Sequence, residues 1–177
     1  MTTLTVAIVG RPNVGKSTLF NRLIGKKKAV VDDRPGITVD RLYGEVQWRK
    51  TKFSVVDTAG LSTLYDSSPT ETITNQVMFA IDEAAVIILV TDGKAGLQEE
   101  DKYIVDLLRK SGKPFFVAVN KIDNPKKSQE LLADFYALGT DRIYPISALH
   151  GTGIDDLLDD VVDTLPPPSP KPDESSD

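Results

Sequence analysis

LTVAIVGRPNVGKS, residues 4–17, sets a short apolar run directly before Gly10-Arg11-Pro12-Asn13-Val14-Gly15-Lys16-Ser17. The run Leu4–Val9 reads as a buried strand that ends at a glycine. The residues that follow fit the spacing Gly, four residues, Gly-Lys-Ser. In that pattern backbone amides turn inward around phosphate oxygens, and the dipole of the next helix adds to the attraction. Lys16 is placed to reach the outer phosphates and the Ser17 hydroxyl to bind Mg²⁺, and Thr18, the next residue, belongs to the expected nucleotide-binding set. A glycine turn with a helix cap would use the same residue types without a ligand. The strand before and the helix after are the context that phosphate binding requires.

Working outward, Lys16–Ile24 reads as a helix, with Leu19, Phe20, Leu23 and Ile24 at helical spacing. Lys26–Arg41 has no period and carries Asp32, Asp33, Pro35 and Gly36, which makes it a loop. Strands are expected over Leu42–Trp48 and Lys52–Val56, and the polar pair Arg49-Lys50 between them implies an antiparallel hairpin. A loop to about Thr70 leads into helix Glu71–Glu83 and buried strand Ala84–Thr91. Helix Glu99–Lys110, strand Pro114–Val119, helix Lys127–Leu138, strand Arg142–Ile146 and helix Gly153–Thr164 complete the alternation. Strand alternating with helix gives an α/β, three-layer domain with a six-stranded, mostly parallel sheet and one antiparallel strand. The expected domain runs over residues 1–165. Residues 166–177, rich in proline, serine and acids, form a stiff solvated linker or tail.

The identity of the base depends on Asn120-Lys121-Ile122-Asp123, at the carboxyl end of a buried strand, where open parallel sheets bind ligands. The Asp123 carboxylate can accept from the ring N–H and exocyclic amine of guanine, a donor pair that adenine lacks. The Lys121 stem can lie on the base, and Asn120 can tie this loop to the phosphate loop. A polar turn would explain the bare tetrapeptide equally well. Ser147-Ala148-Leu149 follows the next strand, and the Ala148 N–H can donate to the guanine keto oxygen. Asp57-Thr58-Ala59-Gly60 ends the Lys52–Val56 strand. Asp57 can hold Mg²⁺ through water, and the Gly60 N–H can touch a γ-phosphate. Thr38 lies between the phosphate loop and Asp57, and its hydroxyl completes the metal shell when its loop folds over that phosphate. The metal set is therefore Ser17, Thr38 and Asp57, in two loops that γ-phosphate orders and hydrolysis releases.

Bulk composition narrows the remaining classes. The chain has no cysteine and one histidine, His150, which excludes thiolate and histidine-rich metal sites and disulfides. The longest apolar run, Ala84–Val90, is seven residues, against the ~20 that cross a bilayer. A soluble, cytoplasmic monomer with no membrane partner is expected. The net charge of −5 makes strong nucleic-acid binding by charge alone a poor fit. The basic triplet Lys26-Lys27-Lys28 reads either as a solvated helix end or as an RNA or partner contact.

Together, GRPNVGKS (10–17), PGIT (35–38), DTAG (57–60), NKID (120–123) and SAL (147–149) resemble the signature set of translation-factor-like GTPases. VAIVGRPNVGKSTLFNRLIG (6–25) and VDDRPGITVDRLYGEV (31–46) resemble the first GTPase domain of the Der family. Those proteins carry two GTPase domains and a carboxyl-terminal RNA-binding-like domain, and act in large ribosomal subunit assembly. The resemblance implies a switch that binds GTP and GDP, a ribosome or rRNA partner, and a second GTPase domain in cis beyond the tail. Val39 departs from the Arg usual after the switch threonine, and Ala59 from the glycine usual in the first domain. The alanine form is more usual in the second domain and in relatives such as Era and MnmE, and a nucleotide-binding module of that Era- or MnmE-like kind, with little intrinsic hydrolysis, is the alternative.

Catalysis is expected to rest on Lys16, Thr38, Gly60 and Asn13. Leu61 stands where Ras-like enzymes place a water-orienting Gln. Some relatives with an apolar residue there use K⁺ bound partly by the asparagine that Asn13 matches. Asn13 reads equally well as a turn residue. A P-loop kinase or ATPase is a further alternative, against which Asn120, Lys121 and Asp123 argue.

Overall fold

The computed structural model describes residues 4–25, 43–59 and 68–166. Its elements run β1 (Thr5–Val9), α1 (Lys16–Ile24), β2 (Tyr43–Trp48), β3 (Thr51–Asp57), α2 (Pro69–Glu83), β4 (Val86–Asp92) and α3 (Glu99–Ser111). Then follow β5 (Phe115–Asn120), α4 (Ser128–Leu132), β6 (Ile143–Pro145) and α5 (Ile154–Thr164). The six strands form one sheet in the order β2-β3-β1-β4-β5-β6. β2 pairs antiparallel with β3, and every other pairing is parallel. The α/β class, the strand number and the single antiparallel strand agree with the sequence pattern. Arg49 turns the β2–β3 corner with φ 58°.

The sheet is covered on both faces because alternate residues of its strands point opposite ways. Val6, Ile8, Ile88 and Val90 pack with Leu19 and Phe20 of α1 and Leu157, Leu158 and Val161 of α5. Ala7, Val9, Ile87 and Leu89 pack with Val77 of α2, Ile104 and Leu108 of α3, and Phe135. All of these side chains are buried. The consequence for function is positional. Five parallel strands end along one edge of the sheet, and the loops leaving β1, β3, β5 and β6 there carry the motif residues.

Two local expectations are corrected. The helix expected over Lys127–Leu138 is instead a 3₁₀ turn Pro125–Lys127, the short α4, and a second 3₁₀ segment Ala133–Leu138. Leu132, Phe135 and Leu138 are the buried residues there, spaced by three. A helix of three residues per turn keeps that spacing on one face, whereas an α-helix rotates it away. Helix α2 starts at Pro69 rather than Glu71. The Ser68 side chain caps it by accepting from the Glu71 N–H, and a proline suits the first turn because its missing N–H has no intrahelical partner there.

Candidate functional site

The phosphate loop, Gly10–Gly15, joins β1 to α1. Two glycines are required by close approach. At Gly10 an added Cβ would lie 2.5 Å from the Val90 carbonyl oxygen. At Gly15, with φ 102°, it would lie 2.2 Å from the Asn120 side-chain nitrogen. Asn13 also takes a left-handed conformation, φ 67°, as its reading as a turn residue requires. Val14 is fully buried, while Pro12 and Asn13 are exposed along the loop.

Lys16 opens α1 and is only 6% exposed. Its Nζ donates to the carbonyls of Gly10 at 2.5 Å and Arg11 at 2.8 Å, so the ammonium lies inside the turn of the loop. Burial lowers its pKa to about 8, Asp57 acts in the opposite direction, and Arg11 adds to the lowering. Ser17 and Thr18 follow at the exposed helix start. Ser17 Oγ donates to Asp57 Oδ2 at 3.1 Å, although the two lie on different elements. Asp57 is 2% exposed and ends β3, and its Oδ1 accepts from the Ala59 N–H at 3.0 Å. Thr58 is buried and donates its hydroxyl to the Ile8 carbonyl, which locks this segment to β1. The hydroxyl and carboxylate assigned to the metal are therefore adjacent. Thr38, Gly60, Leu61, Val39 and the triplet Lys26–Lys28 lie outside the described residues.

On the base side, Asn120 ends β5 and is 4% exposed. Its Nδ2 donates to the Val14 carbonyl at 2.9 Å, and its Oδ1 accepts from the Ala148 N–H at 2.9 Å. One side chain thus joins the phosphate loop to the Ser147–Leu149 loop. The Ala148 N–H, expected to face the guanine keto oxygen, here donates to Asn120, a partner that was not legible in sequence. Ser147 Oγ donates to Asp123 Oδ1 at 3.1 Å, and Lys94 pairs with Asp123 Oδ2 at 3.1 Å. These two partners, Lys94 first, hold the Asp123 carboxyl below its usual range. Lys121 Nζ donates to the Asn13 carbonyl at 3.0 Å and to Asp92 Oδ2 at 2.9 Å. Leu149 is exposed at 69%, beside this cluster.

Four participants escaped the motif reading. Asp92 ends β4 in register with Asn120 and orients Lys121. Burial raises its pKa, but the Lys121 ammonium and the N–H groups of Ala95 and Lys94 outweigh this and leave it lowered. Lys94 joins Asp123 from the same loop. Asp101 is fully buried at the start of α3 and receives Arg11 Nε at 3.1 Å, so the Arg11 side chain faces α3. Arg22 of α1 donates to the carbonyls of Ala148 and Leu149. An acid directly before the Gly93 turn is the only one of these signals visible locally.

The chain is similar to known GTPases over most of its length. GTPase Der of Caldicellulosiruptor saccharolyticus is 52% identical over 158 residues, covering 89% of this chain and 36% of that protein. The chain thus spans about a third of the length of the curated relatives that it matches. A structure of Aquifex aeolicus Era bound to GDP and AlF4⁻ superposes with a TM-score of 0.74 at 28% identity, covering 96% of this chain and 59% of that one. Era in complex with MgGDPNP and a segment of 16S ribosomal RNA gives 0.72 at 26% identity, covering 97% and 60%. The family model described as 50S ribosome-binding GTPase matches residues 5–121, from β1 through the phosphate loop and Asp57 to Asn120 and Lys121, and the chain belongs to that GTPase family.

Proposed function

We propose that this domain binds Mg·GTP, hydrolyses it to GDP and phosphate, and serves as a nucleotide-controlled switch in assembly of the large ribosomal subunit. The observation that carries the reading is Asn120, whose one amide spans Val14 of the phosphate loop and Ala148 of the base loop. It sets phosphate recognition and guanine recognition at a fixed separation. Asp123, already aligned by Ser147, takes the donor pair of guanine in place of Lys94.

The donor set suits magnesium. Ser17 Oγ and Asp57 Oδ2 are hard oxygen donors within hydrogen-bond reach of each other, and Mg²⁺ prefers one or two such ligands together with substrate phosphates. No group of three or more His, Cys, Asp or Glu able to hold a metal occurs among the described residues, so no all-protein cage competes there. Bound Mg²⁺ would offset charge on the β- and γ-phosphates. Lys16 would turn from the Gly10 and Arg11 carbonyls to the phosphate oxygens. Water attacks the γ-phosphorus in line, the bond to the β–γ bridging oxygen breaks, and GDP leaves. Thr38 and Gly60 are proposed to close on the metal and the γ-phosphate, and Asn13 to hold K⁺ beside them.

Large-subunit assembly is supported by the family description and by the Der relatives. An RNA partner is supported by the Era complex with 16S ribosomal RNA. The share of the relatives' length that the chain spans fits the first of two GTPase domains in cis, with residues 1–165 as the domain and 166–177 as the linker. Leu61 favours a second reading, a binding module with little intrinsic hydrolysis. Single-turnover phosphate release, with ATP as competitor and with or without EDTA, tests these readings. Release that ATP does not inhibit and that EDTA abolishes is expected. EDTA-resistant release contradicts the metal assignment, and absence of release supports the binding module.

A further inference from the structure

Arg22 belongs to none of the nucleotide motifs, yet it holds one of them. It lies in the last turn of α1. Its Nε donates to the Ala148 carbonyl at 3.1 Å and its Nη2 to the Leu149 carbonyl at 2.7 Å. Two successive carbonyls therefore meet two N–H groups of one planar guanidinium, whose fixed fork sets their relative position. The loop is shaped around that fork. Gly151 has φ 80°, and an added Cβ there would lie 3.2 Å from Arg22 Cζ and Nη1. The Gly151 N–H donates to the Ser147 carbonyl at 2.7 Å, which curls the loop back on itself.

Ala148 is consequently held from both sides, its N–H by Asn120 and its carbonyl by Arg22. Asn120 also grips Val14, and α1 grows directly from the phosphate loop, with the Leu19 N–H on the Gly15 carbonyl. The path from phosphate loop to base loop therefore closes into a ring, one arm through Asn120 and the other through α1 and Arg22. Thr18, Asn21, Arg22, Ala148 and Leu149 line a cleft of about 490 Å³ between the two sides.

From this geometry we propose that Arg22 is a positioning residue for guanine recognition, fastening the Ser147–Leu149 loop to α1 so that base and phosphate sites keep one spacing. The proposal rests on the assignment of guanine to the Asn120, Asp123 and Ala148 loops. Hydrogen bonds from a charged donor are the stronger kind, and loss of the pair is expected to weaken GDP about tenfold, or ~1.4 kcal/mol. The affinity for ADP, which is held through phosphates and sugar, should change little.

The experiment measures GDP and ADP affinities by competition, KM and kcat for GTP, and melting temperature, for the parent and for Arg22→Ala and Arg22→Gln. The expected result is a fallen GDP-to-ADP ratio and a raised KM with kcat nearly unchanged. Arg22→Gln keeps one amide donor, and its loss should be smaller but measurable. Where the alanine variant does not fold, the glutamine variant decides. A parent-like ratio in a folded variant overturns the proposal, and so does equal weakening of both nucleotides, which marks a merely structural residue. A parent protein without preference for GDP brings down the base assignment itself, an outcome distinct from failure of Arg22 alone.

Discussion

Lys16 carries its role in its surroundings. Burial lowers its pKa to about 8, against a partial counter-effect from Asp57. Phosphate oxygens favour the charged ammonium, so nucleotide binding raises this pKa. Above about pH 8 the free protein has lost part of this proton and the complex regains it. Binding therefore takes up a proton in that range, and affinity falls as pH rises through it. Calorimetry of GDP binding at pH 8.5, in buffers of different ionisation heat, measures the uptake, and proton release would contradict the assignment. Asn13 is the proposed cation ligand. If it holds K⁺, hydrolysis should be faster in KCl than in NaCl at matched ionic strength, with Asn13→Ala removing the difference. Equal single-turnover rates in the two salts rule this out. The loop, strand-end and base residues were legible because each needs a particular side chain at a particular spacing. The Asp92–Lys121 pair was not, because it depends on β4 and β5 ending in register, a tertiary fact.

At the scale of elements, the phosphate loop functions as a rigid turn because Gly15 lets Asn120 approach. Gly15→Ala places a methyl group 2.2 Å from the Asn120 side-chain nitrogen, at a φ of 102° that alanine rarely adopts. Strain of this kind costs about 1–3 kcal/mol, and relieving it breaks the bond from Asn120 to Val14. Urea denaturation should show that loss, and GDP affinity should fall with it. Unchanged values on both measurements would mean that the loop relaxes freely. Sequence periodicity located every strand and the long helices to within a few residues. It missed the 3₁₀ segments around α4 because Leu131 and Leu132 with Phe135 and Leu138 also satisfy a coarse helical pattern. Only burial at every third position separates the two. It missed the start of α2 because Ser68 and Pro69 read as turn residues as readily as a cap and a first turn.

At the scale of the molecule, the α/β class followed from alternation alone, but the strand order required the fold. That order places β1 and β4 at the centre, flanked by β3 and β5. It thereby gathers the phosphate loop, Asp57, Asp92 and Asn120 at neighbouring strand ends. The far corner is tied down separately: the Trp48 Nε1–H donates to Asp159 Oδ1 at 2.8 Å, and Arg49 pairs with the same oxygen at 2.9 Å. The β2–β3 hairpin is thus anchored to α5. This assembly is proposed to select guanine and to hydrolyse its triphosphate. Asp123→Asn tests it most directly, since an amide suits the extra keto group of xanthine and not the amine of guanine. Sites built on such hydrogen bonds discriminate by about 10⁴-fold. The variant should lose GTP hydrolysis at low substrate and regain activity with xanthosine triphosphate. A variant that hydrolyses GTP with the parent's kcat/KM and gains nothing with xanthosine triphosphate would contradict it.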